Sequence, residues 1–206
     1  MHVTSRQTKS SVTTRNARWR VVDIVVASVV GVATGIIFWA WGQLYNPLSL
    51  IQSVLPGLQG LVGGVWLLGG VLGGLIVRKP GAALYTELLA AIVSALIGTQ
   101  WGILTLLSGL VQGLGAEIVF ALVLYRTWRV WVAILAGAGA GGAAVVTDLI
   151  VSYAGADVPF AIVYAVSVIV SGALLAGFLG WLIVRGLARS GALNRFAVGR
   201  ELHAEV

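Results

Sequence analysis

VRKPGAALYTELLAAIVSALIGTQWGILTLLSGLVQGLGAEIVFALVLYR, residues 77–126, holds two apolar runs, 81–98 and 101–125. They meet at Gly98 and Thr99, with Arg78 and Lys79 before the first run and Arg126 after the second. A helix needs about 20 apolar residues to cross about 30 Å of hydrocarbon. The first run is short, so the pair predicts a tight helical hairpin with a charge-free turn and both charged ends on one side. Working outward, apolar runs of spanning length fall at 22–42 and 57–77 on one flank and at 130–151 and 160–184 on the other. The predicted fold is an all-α integral membrane protein, a bundle of six transmembrane helices.

The positive charges give that bundle an orientation. All 13 Lys and Arg fall in four hydrophilic stretches: the amino-terminal tail (Arg6, Lys9, Arg15, Arg18 and Arg20), the loop with Arg78 and Lys79, the loop with Arg126 and Arg129, and the carboxyl tail (Arg185, Arg189, Arg195 and Arg200). The intervening loops at 43–56, 99–100 and 152–159 carry none. Because cytoplasmic loops are the ones enriched in Lys and Arg, both termini are expected in the cytoplasm. The division is a basic tail over 1–20, a membrane domain over 21–185 and a second cytoplasmic tail over 186–206.

Composition excludes several classes. With 59% apolar and 10% charged residues and a mean hydropathy of +0.99, a soluble fold of this size would expose too much apolar surface. The net charge of +6 and pI near 10.3 are largely the topological signal, and the basic tail has no fold to present to nucleic acid, so none is expected as a partner. Contact with anionic lipid of the bilayer accounts for the tail better. The chain has no Cys, which removes disulfides and thiolate metal sites. The first apolar run lacks a clean small-residue cleavage site and reads as a retained helix. Neither a GxxxxGK[ST] phosphate loop nor a broken-helix repeat occurs, and His2 and His203 lie in the tails. No catalytic site, cofactor or metal is expected.

Ionisable groups inside the membrane are expensive, and they mark where function is to be sought. Glu87, in the third run, and Glu117, in the fourth, each lie about seven residues, roughly 10 Å, from the cytoplasmic end. The two are placed to face each other across the bundle. Asp148 lies near the outer end of the fifth helix. Three acids with no internal base call for a cation, a proton or a hydrogen-bonding ligand. The competing structural reading is a protonated Glu bonded to a neighbour such as Gln112 or Thr86, and a hydrated Asp148. Asp23, at the start of the first helix, suits the helix dipole and has no expected ligand role.

Aromatic and amide groups gather in the outer half: Trp39, Trp41, Gln43, Tyr45 and Asn46, then Gln59 and Trp66, then Gln100 and Trp101, with Tyr153 and Tyr164 flanking the last outer loop. Interfacial belts use such residues, and so do sites that stack flat aromatic or cationic ligands. The loop from Asn46-Pro47 to Pro56-Gly57 reads as a lid. Small residues at four-residue spacing recur at Gly60 and Gly64, Gly69 and Gly73, Gly70 and Gly74, Gly137 and Gly141, and Gly172, Ala176 and Gly180. These favour close packing inside the bundle. The stripe Ala27, Gly31, Gly35 on the first helix is the candidate to face a partner protein.

Three stretches carry a family resemblance: WRVVDIVVASVVGVATGIIFWAW at 19–41, GVWLLGGVLGGLIVRKPGAALYTELLAAIVSAL at 64–96 and GTQWGILTLLSGLVQGLGAEIVFAL at 98–122. They resemble the YkoE-type substrate-binding component of energy-coupling-factor vitamin transporters over most of residues 19–185, most specifically in RKPGAALYTEL and QGLGAE. The resemblance implies a six-helix bundle without ATPase activity that captures thiamine, or its hydroxymethylpyrimidine precursor, from outside. It also implies that a partner transmembrane coupling protein and cytoplasmic ATPases drive transport. Glu87 and Glu117, standing in the segments that match best, are the leading ligand groups; the intramembrane Asp148 and Gln112 are expected beside them, with Trp39, Tyr45, Trp66, Gln100 and Trp101 as walls and lid. The resemblance further implies docking of the coupling protein on Ala27 and Gly31, with Gly31 where Ala is often expected. The alternatives are a lone carrier or channel relaying protons or cations through the carboxylates and, further off, a membrane-embedded enzyme.

Overall fold

A computed structural model describes residues 18–199; the tail charges at Arg6, Lys9, Arg15 and Arg200, and also His2 and His203, lie outside the described residues. The described residues are mostly helical: α1 Val21–Ser49, α2 Leu68–Val77, α3 Ala82–Ile97, α4 Leu104–Leu122, α5 Val130–Val151, α6 Val158–Ser171 and α7 Gly180–Arg189. A 3₁₀ stretch over Leu58–Leu67 runs straight into α2, and a π-helical stretch over Gly172–Leu179 joins α6 to α7. Five of the resulting rods are long and apolar enough to cross a membrane: Val21–Ser53, Leu58–Val77, Leu104–Leu122, Val130–Val151 and Val158–Arg189. A sixth apolar helix, Ala82–Ile97, is shorter.

The helices are joined by backbone approach at small residues. A Cβ on Gly35 would lie 2.7 Å from the Ala90 carbonyl oxygen and from Val93 Cβ, and one on Gly31 would press on Leu89. Ala27 is fully buried. The stripe expected to face a partner protein therefore packs inward, mainly on α3, and the outward face of α1 carries Val25, Val29, Val32 and Ile36 instead. Gly137 of α5 meets Gly172 and Gly177 of the π-helical stretch, and Gly141 meets Val168 of α6. With so little apolar driving force between helices in lipid, such contacts carry the packing.

Two expectations are corrected. The first helix does not stop at 42 but continues to Ser49, with Pro47 inside it. Proline keeps a helical φ and gives up one hydrogen bond near a helix end, where other groups can satisfy the freed carbonyl. Second, residues 58–67 are 3₁₀ rather than α. The Ser171 hydroxyl explains it, because it donates to the Leu61 carbonyl at 2.6 Å and accepts from the Gly64 N–H at 3.0 Å, entering the backbone ladder from another helix. The start of the carboxyl-terminal tail lies against the bundle, with Leu193, Phe196 and Val198 buried.

At one end the start of α1 is tied to the α2–α3 connection. Asp23 is fully buried and takes Arg20 at 2.8 Å and Lys79 at 2.5 Å. Trp19 donates its indole N–H to the Pro80 carbonyl at 2.9 Å. The α4–α5 connection reaches the same end through Glu117 of α4, whose carboxylate accepts the Gly81, Ala83 and Leu84 N–H groups and the Tyr125 hydroxyl. Gly81 and Gly98, which bracket α3, take φ of +84° and +108°, a region that favours glycine.

Candidate functional site

At the opposite end, where α1, α3 and α5 finish and α4 and α6 begin, the helices enclose a cavity of about 180 Å³. Each wall is a helical stripe. Glu87, Ala91 and Ser94 come from α3; Thr105, Ser108 and Gln112 from α4; and Ala144, Thr147, Asp148 and Val151 from α5, all at the three- and four-residue spacing that places side chains on one face. The 3₁₀ stretch adds Gln59 and Trp66, and the tighter helix aligns residues differently from an α-helix there.

Glu87 is the floor. It is 1% exposed, and its Oε2 accepts the Gly70 N–H at 2.5 Å. Glu87 Oε1 is buried and has no hydrogen-bond partner among the described residues, and the same holds for Thr105 Oγ1 in the same cavity. Buried acceptors are nearly always satisfied, so such a pair of atoms in one cavity is a place for a ligand's donors. Asp148 stands on another wall and accepts the Tyr164 hydroxyl at 2.7 Å.

The mouth is aromatic. Tyr45, Trp66 and Trp101 form a mutual cluster with centroids 5.0–5.5 Å apart and interplanar angles of 57–81°, the tilted and edge-to-face geometry that ring quadrupoles favour. Trp66 is locked by donating to the Phe38 carbonyl at 3.1 Å. Across the cavity Tyr153 lies 4.9 Å from Tyr164, and Phe160 stacks on Tyr164 at 5.8 Å and 5°.

Of the residues expected at a site, the structure gathers Glu87, Asp148, Tyr45, Trp66, Trp101 and Gln112 around this cavity. Glu117, Trp39 and Gln100 are not in its lining. Glu117 does not face Glu87 across a shared space, because its carboxylate is spent capping the start of α3. Gln100 donates to the Gly42 carbonyl at 3.3 Å, holding the α3–α4 turn against α1, and Thr86 bonds its own helix at Ala82 rather than a carboxylate. Ser94, Thr105, Ser108 and Ser152 line the cavity too, at helical spacing from Glu87, Gln112 and Asp148 that is readable in the sequence, and Thr147 joins them at four residues from Val151.

Residues 22–143 match the family described as ABC-type cobalt transport system, permease component. The chain is 36% identical over 190 residues to the putative HMP/thiamine permease protein YkoE of Bacillus subtilis (strain 168), covering 89% of this chain and 92% of that one. The chain belongs to the YkoE-type family of transporter substrate-binding components. As an S component it also matches a solved structure, the crystal structure of an S-component of ECF transporter, with a TM-score of 0.85 and 35% identity over 91% of this chain and 95% of the other. It is thus a multi-pass membrane transport component and not an enzyme.

Proposed function

We propose that this S component captures thiamine, or its hydroxymethylpyrimidine precursor, from outside the cell and delivers it for ATP-driven uptake by a transmembrane coupling protein and cytoplasmic ATPases. The observation that carries this reading is the unpartnered Glu87 Oε1 at the floor of a cavity walled by Tyr45, Trp66 and Trp101. An aminopyrimidine presents N–H donors in the plane of a flat ring, so the carboxylate takes the edge and the aromatic groups take the faces. Asp148, on a separate wall, compensates the thiazolium charge, and cation–π contact adds to it. The name of the relative points to the same ligand class.

In this reading all six apolar segments cross the bilayer and both termini are cytoplasmic, since the charged connections lie at the end away from the cavity. The cavity is then reached from outside. Cobalt as cargo fits the donor set poorly: no group of three His, Asp or Glu able to hold a metal ion occurs among the described residues. A proton relay through the three acids also fits poorly, because Glu117 is engaged by four donors away from the cavity.

The division of labour between the two carboxylates has a distinctive test. Asp148→Asn is expected to weaken thiamine about tenfold while leaving uncharged hydroxymethylpyrimidine within about twofold, as the loss of one partly screened charge pair implies. Tryptophan-fluorescence titration of the purified variant with both compounds reads the difference. Equal losses for both compounds, or none for either, would remove Asp148 from the thiazolium role.

A further inference from the structure

The Thr105 hydroxyl stands apart from those of the other threonines in the described helices. Thr34, Thr86 and Thr147 each donate to the carbonyl four residues back on their own helix, the usual way for a hydroxyl in lipid to satisfy itself. Thr105 does not: its Oγ1 is buried and has no partner among the described residues, and the residue lines the ligand cavity. Because α4 begins at Leu104, the helix has no carbonyl four residues back to offer. A buried hydroxyl left open in this way asks for its partner from the cavity.

Helix packing fixes where that hydroxyl lies relative to the two carboxylates. Gly113 of α4 is level with Glu87, since a Cβ on it would lie 3.1 Å from Glu87 Cβ, and Gly109 meets Ala91 one turn nearer the mouth. Thr105 is a further turn out, about 12 Å along α4 from Gly113. On the antiparallel α5, Ala143 meets Gly115, so Asp148, five residues further toward the mouth, stands between the levels of Glu87 and Thr105. From floor to mouth the cavity thus offers one carboxylate, a second carboxylate and a hydroxyl. Thiamine carries complementary groups in the same order: an aminopyrimidine edge, a thiazolium cation and, at the far end, a hydroxyethyl arm. Hydroxymethylpyrimidine has its amino and hydroxymethyl groups on adjacent ring carbons, too close together to reach both Glu87 and Thr105. We propose that Thr105 is a specificity-determining residue whose hydroxyl pairs with the hydroxyethyl hydroxyl of thiamine, so that the cavity reads the whole two-ring molecule. The assignment rests on thiamine capture by this cavity, and it uses the ability of each hydroxyl both to donate and to accept.

The test is calorimetric titration of the full chain in detergent with thiamine, hydroxymethylpyrimidine and a thiamine analogue in which an ethyl group replaces the hydroxyethyl arm. The wild-type protein is expected to bind the analogue about fivefold more weakly than thiamine, as the loss of one neutral hydrogen bond implies. Thr105→Val should weaken thiamine about fivefold and leave hydroxymethylpyrimidine within about twofold. It should also leave the analogue within about twofold of its wild-type affinity, because the group that Thr105 would pair with is already gone. Thr105→Ser, which keeps a hydroxyl, should retain most of the affinity for thiamine. The comparison of thiamine with its analogue on the wild-type protein decides the matter even if the Val variant fails to fold. Equal affinity of the wild-type protein for thiamine and the analogue, or equal losses of thiamine and hydroxymethylpyrimidine in Thr105→Val, overturns the role of Thr105 and leaves the capture role standing. Folded wild-type protein that binds neither thiamine nor hydroxymethylpyrimidine overturns the capture role itself, and the role of Thr105 with it.

Discussion

Glu87→Gln is expected to weaken aminopyrimidine binding about a hundredfold with little change in melting temperature. The two carboxylate oxygens have different tasks, Oε2 taking the Gly70 N–H and Oε1 having no partner among the described residues. A glutamine has one acceptor and one donor group in their place. If its carbonyl keeps the Gly70 bond, which holds α2 to α3, its NH₂ meets the ligand's N–H edge donor to donor. A hydrogen bond to a charged group contributes about 1.5–3 kcal/mol, and the mismatch adds to its loss. Both thiamine and hydroxymethylpyrimidine should lose affinity, in contrast to the selective effect at Asp148. Near-wild-type titrations of a correctly folded Glu87→Gln protein would show that the floor of the cavity is not where the ligand is read.

Glu117→Ala, by contrast, is expected to lower the melting temperature by about 10 °C while the folded fraction keeps its ligand affinity within about twofold. The first N–H groups of a helix have no partner within it. For α3 that need is met by another helix, with Glu117 accepting Gly81 at 2.7 Å, Ala83 at 2.9 Å and Leu84 at 3.3 Å. Its Oε1 also takes the Tyr125 hydroxyl at 2.6 Å, which fixes the chain just beyond α4. Stranding these donors costs about 1–3 kcal/mol each, or about 3–5 kcal/mol after relaxation, and chains of this size lose about 2–4 °C per kcal/mol. Glu117→Gln, which retains an acceptor, should show less than half the effect. A thermal-shift assay that found the Ala variant as stable as wild type would contradict the capping role. Loss of ligand binding at unchanged stability would return Glu117 to the site.

How much of this was legible in the sequence depends on what each residue type commits to. The run 130–151 coincides with α5 because lipid demands an unbroken apolar rod, and Arg129 and Ser152 end it sharply. Residues 43–49 read as loop because Gln43, Asn46 and Pro47 are polar or helix-breaking elsewhere, yet they lie in the last turns of α1, where one lost hydrogen bond is tolerated. The stripe Ala27, Gly31, Gly35 predicted close packing but could not say against what, since small residues suit any neighbour; the answer, chiefly α3, is tertiary. Glu87 and Glu117 looked alike by depth and composition. They differ because Glu117 meets the bare start of α3 and Glu87 meets a cavity, and neither circumstance is local. That Ser and Thr side chains line the cavity is not legible in the sequence, because a membrane hydroxyl can satisfy itself on its own helix, as Thr34 and Thr86 do.

In the proposed complex an aminopyrimidine sits between Glu87 and the rings of Tyr45, Trp66 and Trp101. Two indoles at the mouth make intrinsic fluorescence a direct reporter, so the decisive measurement is a titration of the purified wild-type protein with thiamine, hydroxymethylpyrimidine, riboflavin and Co²⁺. Saturable quenching is expected from thiamine or hydroxymethylpyrimidine and none from the other two. Folded protein that responds to neither aminopyrimidine, or that saturates with riboflavin or Co²⁺ instead, would contradict it.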